Sequence, residues 1–283
     1  MKKYLSLVKF SHTIFAMPFA LIGFFLAIRY FEYTFDWNSL ILVILSMVFA
    51  RNSAMAFNRF IDRNFDAKNP RTQQREIPAG KIKTNYALWF VIINSALFFA
   101  TTFFINQLCF LLSPIALIVI LGYSLTKRFT ALCHLVLGVG LSLAPIGAFL
   151  AVSGKFEILP ILFSIVVLFW VSGFDIIYAL QDETFDKSEN LKSIPVYLGK
   201  KNALIFSRIL HSISGIFVLI IGTYNLGNIY WIGALFFISL LMYQHAIVRH
   251  DNLSRVNLAF MTTNGVASVI FAIITILSLY LNV

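Results

Sequence analysis

The sequence carries two groups of ligand-type side chains at helical spacing. In the first group, Asn58, Asp62 and Asp66 are spaced by four residues. Residues four apart on a helix share one face and lie about 6 Å apart along its axis, so these side chains would form one stripe. Arg59 and Arg63 would form a second stripe beside it. The first group therefore predicts a row of oxygen ligands next to positive charge.

The second group contains Asp175, Tyr178, Asp182 and Asp186. Spacings of seven and four again place the three carboxylates on one helix face, with Tyr178 beside them. Like charges at this spacing destabilise a helix by roughly a few tenths of a kcal/mol per pair, and ionisable groups at a membrane mark functional sites by default. One group alone also fits an ordinary solvated helix end. Two such groups favour a site that binds cations.

The ligand types indicate which cation and which substrate to expect. Oxygen ligands without paired Cys or His favour Mg²⁺ over zinc or copper. Mg²⁺ usually binds one or two carboxylates together with substrate phosphates and water, so a phosphorylated substrate is predicted. Arg71, Arg75 and Arg128 are the preferred ligand contacts among the nearby basic residues, because a guanidinium binds phosphate or carboxylate through two donors. Three histidines are isolated in the sequence and predict no metal site of their own: His12, His134 and His211.

Long apolar helices must position these groups. Of 283 residues, 59% are hydrophobic and 12% are charged, whereas soluble domains carry about 45–50% and about 25%. This composition excludes a soluble enzyme, a disordered chain and a fibrous repeat, and two cysteines exclude a disulfide scaffold. A membrane-spanning helix needs about 20 mostly apolar residues. Nine such runs lie near 10–30, 39–57, 86–105, 109–125, 131–152, 158–181, 203–224, 229–246 and 259–281.

The distribution of charge predicts the orientation in the membrane. All but two of the 22 Lys and Arg residues lie at the N-terminus or around the connections after spans two, four, six and eight; the exceptions are Arg29 and Lys155. The positive-inside rule then places the N-terminus in the cytoplasm and the C-terminus outside. Nine of the twelve acidic residues share the cytoplasmic side, which that rule does not predict. The net charge of +10 would also suit nucleic acid, but the apolar content argues against that partner.

The segments after the two acidic groups are similar to each other. Residues 77–81 read Ile-Pro-Ala-Gly-Lys, and residues 194–200 read Ile-Pro-Val-Tyr-Leu-Gly-Lys. Each half of the chain thus runs from a span through an acidic group and a polar loop to Ile-Pro, Gly-Lys and another span. This order suggests a duplication in which both halves present carboxylates to one cavity.

These motifs resemble the signatures of the UbiA family of membrane prenyltransferases. The first signature is matched by Asn58, Asp62, Asp66, Asn-Pro-Arg-Thr at 69–72, Arg75 and Pro-Ala-Gly at 78–80. The second is matched by Asp182 and Asp186 with Asp175 and Tyr178 upstream, and Tyr123-x-x-x-Lys127-Arg128-Phe129-Thr130 is similar to the basic segment after the fourth helix. Arg59 stands where many members carry Asp. The resemblance covers nearly the whole chain and is nearest the 4-hydroxybenzoate polyprenyltransferase branch.

The resemblance implies an all-α integral membrane protein, with one domain over residues 1–283 and nine helices around a central cavity. It implies transfer of a polyprenyl group from polyprenyl diphosphate to a small aromatic acceptor, 4-hydroxybenzoate-like or dihydroxynaphthoate-like, in quinone biosynthesis at a bacterial inner membrane. Mg²⁺ would be held by Asp62, Asp66, Asp182 and Asp186. Substrates would be held by Asn58, Arg71, Arg75, Lys127 and Arg128, the last on an acceptor carboxylate. Tyr178 would stabilise allylic cation character, and Asp175 is the candidate base.

Two alternatives remain open at this level. Intramembrane carboxylates and a weak repeat also suit a cation-coupled secondary transporter. The acidic groups lie at span ends beside basic loops, however, and most span centres hold no charge, which favours the enzyme. The second alternative keeps the family but changes the acceptor, for example to haem or a phospholipid-like alcohol. Tail length and oligomeric state do not follow from the sequence.

Overall fold

The computed structural model describes residues 2–8 and 10–281, and it is all-helical over these ranges. A 3-10 helix, Phe10–Phe15, precedes α2, and a π-helical segment, Leu258–Thr263, precedes α12. The α-helices are, in chain order, α1 (Lys2–Leu7), α2 (Met17–Arg29), α3 (Trp37–Ile61), α4 (Arg63–Lys68), α5 (Thr84–Ile105), α6 (Gln107–Thr126), α7 (Cys133–Ser153), α8 (Ile158–Ala179), α9 (Glu183–Ser188), α10 (Ile194–Gly222), α11 (Asn228–Ile247) and α12 (Asn264–Leu281).

The expected class, an all-α integral membrane bundle, is confirmed, and the count differs in one place. Within the described ranges, eight helices are long and apolar enough to cross a membrane, and Thr13–Arg29 is a shorter apolar segment. The run near 10–30 is not one helix, because the 3-10 turn ends before Pro18, which lies in the first turn of α2. The run near 203–224 starts earlier than expected, at Ile194.

The protein core surrounds α8 and not the helices at the lipid boundary. In the most apolar window of α8, 61% of residues are buried, against 11% in α6. Trp170 of α8 is fully buried and packs its ring 5.2 Å from Phe19, 5.1 Å from Phe174 and 5.7 Å from Phe237. Its Nε1 donates to Asn264 Oδ1 at 2.8 Å, so the indole also satisfies its polar atom. These contacts bring α2, α8, α11 and α12 together.

Each acidic group lies across a helix break, whereas the spacing predicted one continuous helix. Asp62 lies between α3 and α4, and Asp182 lies between the end of α8 and α9. Backbone bonds from Asp66 N to Asp62 O (2.8 Å) and from Asp186 N to Asp182 O (2.7 Å) keep the four-residue spacing across both breaks. At the first break, Arg128 donates to the Ile61 carbonyl at 3.2 Å, a group that the broken helix leaves available. Both acidic groups therefore keep their four-residue spacing, although the helix bends within each of them.

The two similar segments share one backbone feature. Gly80 has φ 68° and Gly199 has φ 74°, both in the left-handed region that glycine adopts without a side-chain penalty. Gly199 kinks α10 near its start, after Ser193 caps the helix by accepting from Val196 N at 3.4 Å. The repeat seen in the sequence therefore extends to matching turns after matching short helices, α4 and α9.

Candidate active site

A polar cavity of about 260 Å³ lies where α3 and α8 end. It is lined by residues from both acidic groups and from the loops that follow them. Ten of the eleven residues assigned from the sequence lie on its wall: Asn58, Asp62, Asp66, Arg71, Arg75, Lys127, Asp175, Tyr178, Asp182 and Asp186. Arg128 is the exception and lies behind Asp62. The fold therefore gathers residues more than a hundred positions apart around one space.

Arg71 connects the two halves of the site. Its Nε donates to Asp182 Oδ1 at 2.9 Å, and its Nη2 bonds to Asp182 Oδ2, so the guanidinium grips both carboxylate oxygens. Its Nη1 donates to the Tyr178 hydroxyl at 2.7 Å. Asn69, two residues before it, donates to Asp182 Oδ1 at 3.1 Å and accepts from Arg71 N at 2.9 Å. The loop after α4 is thereby held against the end of α8.

Asp66 has two oxygens in different environments. Oδ1 accepts from Arg75 Nη1 at 2.6 Å. Oδ2 is buried and has no hydrogen-bond partner within the described part of the chain. A buried oxygen of a carboxylate is costly without a donor or a cation, because water cannot solvate it there. Oδ2 is therefore the clearest open ligand position in the cavity.

Asp62 is enclosed by donors. Arg128 Nη2 donates to its Oδ1 at 2.8 Å, Asn58 Nδ2 donates to its Oδ2 at 3.1 Å, and Lys127 Nζ lies 4.0 Å from Oδ2. The Nη1 of Arg128 donates to the Ser124 carbonyl oxygen at 2.8 Å. Arg128 thus holds Asp62 and the adjoining helix ends in place, which explains why it does not face the cavity.

Burial raises the pKa of two carboxyls on the cavity wall, Asp62 and Asp186. Burial raises the pKa of Asp62 above its usual range, with Asp66 adding to the rise and Lys127 and Arg128 opposing it. Burial likewise raises the pKa of Asp186, with Asp182 adding to the rise and Lys127 opposing it. Ionised carboxylates so close to one another and so poorly hydrated would be stabilised by additional positive charge.

The donor set fits a hard divalent cation. Among the described residues, no three acidic, His or Cys side chains are arranged as a complete metal cluster. Mg²⁺ does not need one, since it is usually held by one or two carboxylates plus substrate phosphates and water. Asp66 Oδ2 offers an unpartnered oxygen, while Asp62, Asp182 and Asp186 line the same cavity. The side chains that now pair with these acids are basic, and anionic phosphates would draw them away.

Aromatic side chains form the wall beside the second acidic group. Tyr178 stacks on Phe260 with ring centroids 4.1 Å apart and planes 27° apart. Phe260 comes from the π-helical segment before α12 and also packs against Phe174 (5.5 Å). π-Helical turns commonly mark functional sites because they redirect side chains. Sequence reasoning did not single out Phe260, since nothing in its apolar neighbourhood distinguishes it.

Two further residues at the cavity were given no role in the site from the sequence. His134 of α7 bonds through Nδ1 to Asp175 Oδ2 at 2.7 Å, although it is isolated in the sequence. Only the packing of α7 on α8 brings the two together. Arg51 lies seven residues before Asn58, on the same helix face, so its spacing did carry a signal. Its Nε is buried and has no hydrogen-bond partner within the described ranges.

A second cavity of about 390 Å³ adjoins the polar one and is almost entirely apolar. It lies among α3, α5, α6 and α7. Both cavities are lined by the same five residues at their junction: Arg51, Met55, Tyr123, Leu137 and Leu141. A charged, acid-rich chamber thus borders an apolar chamber along these five residues. This combination suits a molecule with an anionic head and a hydrocarbon tail.

Comparison with known proteins identifies the family. Residues 16–266 match the UbiA prenyltransferase family. The chain belongs to this family. It is therefore a prenyltransferase and an integral membrane protein, which sets aside the transporter alternative. The UbiA chain is 28% identical over 245 residues to a 4-hydroxybenzoate octaprenyltransferase of Aliivibrio fischeri, covering 87% of this chain and 85% of the relative. It is 29% identical over 236 residues to the enzyme of the same name from Photobacterium profundum, covering 83% and 82%.

Solved structures of UbiA homologues share the fold. A homologue from Aeropyrum pernix, solved without ligand, superposes with a TM-score of 0.81 at 30% identity, covering 95% of this chain and 97% of the other. A homologue from Archaeoglobus fulgidus bound to DMAPP and Mg²⁺ superposes with a TM-score of 0.79 at 21% identity, covering 99% of each chain. The second likeness concerns the fold alone.

Proposed function

We propose that this UbiA protein transfers a polyprenyl group from an allylic diphosphate to an aromatic acid, with Mg²⁺ as cofactor. The acceptor is 4-hydroxybenzoate-like or dihydroxynaphthoate-like, and the reaction belongs to quinone biosynthesis. The relatives named for 4-hydroxybenzoate and the homologue bound to DMAPP and Mg²⁺ support this proposal. Transfer to another acceptor within the same family is the alternative.

The observation that carries the proposal is the junction of a charged and an apolar cavity. The polar cavity presents Arg71, Arg75 and Lys127 for the oxygens of a diphosphate. The adjoining cavity, at about 390 Å³, takes the hydrocarbon chain out of water. The reacting carbon of an allylic diphosphate lies between head and tail, and so would lie at the junction of the two cavities.

The acidic side chains and their basic partners have complementary tasks in this proposal. Asp62, Asp66, Asp182 and Asp186 would hold Mg²⁺. When bound, Mg²⁺ supplies charge neutralisation to the departing diphosphate. Arg71 now pairs with Asp182, and Arg75 pairs with Asp66. Both guanidinium groups would then donate to phosphate oxygens instead, because the two carboxylates gain another cation. Asn58 orients Asp62 by the hydrogen bond already present.

The transfer step follows from the cavity wall. The bond between the allylic carbon and the diphosphate oxygen breaks, and the diphosphate leaves with both electrons. An electron pair of the aromatic ring forms the new carbon–carbon bond, and the proton on that ring carbon passes to the Asp175 carboxylate. Tyr178 stacks on Phe260 and has the Arg71 guanidinium carbon 5.1 Å from its ring centroid, so its ring would stabilise the allylic cation, by about 0.5–2 kcal/mol, once Arg71 turns to the diphosphate. The enclosing apolar residues keep water from the allylic cation.

The acceptor carboxylate needs a cation that no protein acid already occupies. Arg128 is engaged by Asp62 and by two carbonyl oxygens. Arg51 lies at the junction of the cavities, and its buried Nε has no partner within the described residues. We therefore assign the acceptor carboxylate to Arg51 and assign Arg128 to the positioning of Asp62. The family resemblance implied instead that Arg128 binds the acceptor carboxylate, and the same experiment compares both residues.

The same proposal includes an orientation. The N-terminus and the active-site loops would face the cytoplasm of a bacterial inner membrane, because nearly all Lys and Arg residues lie on that side. Polar prenyl-acceptor molecules made in the cytoplasm would then reach the polar cavity directly. The tail would enter from the membrane.

Purified protein in lipid nanodiscs, with Mg²⁺ and one polyprenyl diphosphate, tests the function. The screen offers 4-hydroxybenzoate, dihydroxynaphthoates and homogentisate, with product mass as the readout. We expect a prenylated aromatic acid and expect Asp182→Ala to lower turnover more than about 100-fold. Glu183→Ala is the matched control, because Glu183 is the neighbouring acid and pairs only with Lys200, at 3.7 Å, among the described ion pairs. Near-normal turnover of Asp182→Ala would refute the assignment of the diphosphate site.

The acceptor assignment is tested by a second comparison. Arg51→Met should raise the KM for the aromatic acid by at least about 10-fold, because a charge-assisted hydrogen bond contributes about 1.5–3 kcal/mol. Its KM for the diphosphate should stay near that of the parent. Arg128→Met should instead lower turnover with every acceptor, since it frees Asp62. A raised acceptor KM in Arg128→Met but not in Arg51→Met would reverse the assignment.

A further inference from the structure

His134 makes hydrogen bonds through both ring nitrogens. Nδ1 lies 2.7 Å from Asp175 Oδ2, and Nε2 lies 3.4 Å from the backbone nitrogen of Ile194. The imidazole is almost fully buried, at 4% side-chain exposure, whereas the Asp175 side chain is 23% exposed. His134 thus connects the start of α10 to a carboxylate on the cavity wall.

The two bonds define which ring nitrogen carries the proton. A backbone N–H can only donate, so Nε2 must accept from Ile194 and is unprotonated. Nδ1 then carries the proton and donates it to Asp175. This tautomer leaves the carboxylate charged and holds it through one oxygen.

Asp175 depends on this bond for its orientation. It is the one hydrogen bond of the Asp175 side chain among the described residues. Oδ2 is taken up by His134, while Oδ1 is left without a hydrogen bond in the described part of the structure. Since Asp175 lines the polar cavity, Oδ1 is the oxygen available to a bound molecule.

We propose that His134 is a positioning residue for Asp175: it fixes the carboxylate so that Oδ1 faces the aromatic acceptor and receives the ring proton. The inference rests on the proposed function, because it gives Asp175 an aromatic acceptor to act on. His134 itself does not touch the substrate. It acts as the orienting member of a pair, and the α10 N-terminus orients His134 in turn.

Two substitutions separate the role of Nδ1 from that of Nε2. In His134→Asn the amide lies near the position of Nδ1 and can still donate to Asp175, but the bond to Ile194 is lost. In His134→Gln the amide oxygen reaches the position of Nε2 and can still accept from Ile194, but the donor to Asp175 is lost. Asn is one methylene smaller than Gln, so a loss caused by packing alone would be greater in His134→Asn, the opposite of the order expected from the hydrogen bond to Asp175.

The inference predicts opposite outcomes for turnover. His134→Gln should lower kcat by about 10- to 100-fold, because a displacement of about 1 Å of a reacting group costs up to about 10²-fold. Its KM for the polyprenyl diphosphate should remain unchanged. His134→Asn should recover most of the activity. If His134→Asn is the impaired variant and His134→Gln resembles the parent, the histidine serves only to anchor α10, and the inference is overturned.

A double-mutant cycle with Asp175→Asn tests whether the two residues act together. If His134 acts through Asp175, adding His134→Gln to Asp175→Asn should cause no further loss of kcat. Independent, multiplying losses would overturn the inference. The ¹⁵N chemical shifts of the His134 ring, measured in the parent protein, add a test without substrate. They should show a protonated Nδ1 and an unprotonated Nε2, and the reverse pattern would also overturn it.

The parent protein and His134→Gln together distinguish a failure of the positioning role from a failure of the proposed function. If the parent protein prenylates an aromatic acid and His134→Gln does so equally well, the inference alone fails. If the parent protein prenylates no aromatic acid, the proposed function fails and the positioning role fails with it.

Discussion

Asp66 gives a quantitative test of cation binding by the acidic side chains. Its Oδ1 is paired with Arg75 at 2.6 Å, and its Oδ2 is buried without a partner in the described ranges. Asp66→Asn keeps the shape and an oxygen for Arg75 but removes the charge. Arg75→Met keeps the carboxylate but removes its only cation at ion-pair distance among the described residues. The two substitutions therefore change opposite halves of the same pair.

The expected magnitudes follow from burial. Removing one partner of a buried ion pair costs about 3–5 kcal/mol. The Asp66 side chain is 7% exposed and Arg75 is 21% exposed, so we expect the lower end, about 3 kcal/mol, for Arg75→Met without metal. Asp66→Asn should destabilise by only about 1–3 kcal/mol, the cost of one unpaired buried amide group. Its turnover should nevertheless fall by about 10²–10³-fold, because a preorganised charge at the departing group contributes about 2.7–4 kcal/mol.

Thermal unfolding in nanodiscs, with and without Mg²⁺, measures the stability terms. A ligand at 100 times its Kd stabilises a protein by about 2.7 kcal/mol. Mg²⁺ should therefore recover most of the loss in Arg75→Met and raise its Tm more than it raises that of the parent, where Arg75 competes. Asp66→Asn should show little Mg²⁺-dependent shift. Turnover of each variant is measured in the prenyl-transfer assay.

The exposed ion pair between Lys68 and Glu189 supplies the control. It has a similar N–O distance, 2.7 Å, but Lys68 is 61% exposed. Exposed pairs contribute about 0–1 kcal/mol, so Lys68→Met should change neither the Tm nor its response to Mg²⁺ by more than that. The reasoning is refuted if Arg75→Met is as stable as the parent without Mg²⁺, or if Asp66→Asn retains both the Mg²⁺ shift and normal turnover.

Three other changes have definite expected outcomes. Arg71→Lys should raise the KM for the diphosphate about 10-fold in steady-state kinetics, because an ammonium cannot reproduce the two-pronged grip; an unchanged KM would contradict that role. Gly23→Ala would place a Cβ 2.0 Å from the Pro145 carbonyl oxygen, so we expect α2 and α7 to be forced apart and thermal unfolding to show a loss of about 1–3 kcal/mol. Leu141→Trp at the cavity junction should reduce transfer of long polyprenyl chains far more than transfer from dimethylallyl diphosphate; equal loss with both donors would argue against a tail in the apolar cavity.

Much of the site was predictable because its chemistry is encoded in residue type and spacing. Carboxylates four apart remain on one face even across a helix break, since backbone hydrogen bonds such as Asp66 N to Asp62 O continue the helical path. Apolar runs long enough to span a membrane predict helices with few alternatives, because unpaired backbone groups cannot remain in lipid. The similar segments ending at Gly80 and Gly199 likewise adopt similar turns.

The sequence did not predict which distant residues form pairs. Arg128 looked like a ligand contact, but the packing of α6 against the end of α3 turns it toward Asp62 and the Ile61 carbonyl. The first apolar run predicted one full span, yet Pro18 and the preceding 3-10 turn shorten its α-helix. Charge and spacing alone do not state which base meets which acid.

The sequence by itself determined the membrane setting, the order of the helices and which acidic side chains share a helix face, because hydropathy and helical period act locally. Only the tertiary structure decided that His134 meets Asp175 and that Phe260 stacks on Tyr178. It also decided that Arg51 lies at the junction of two cavities with an Nε that has no hydrogen bond to any described residue. Those contacts join α7 to α8, α3 to its neighbours and α12 to α8. They depend on which helices pack side by side, and the spacing of residues within each helix does not determine that packing.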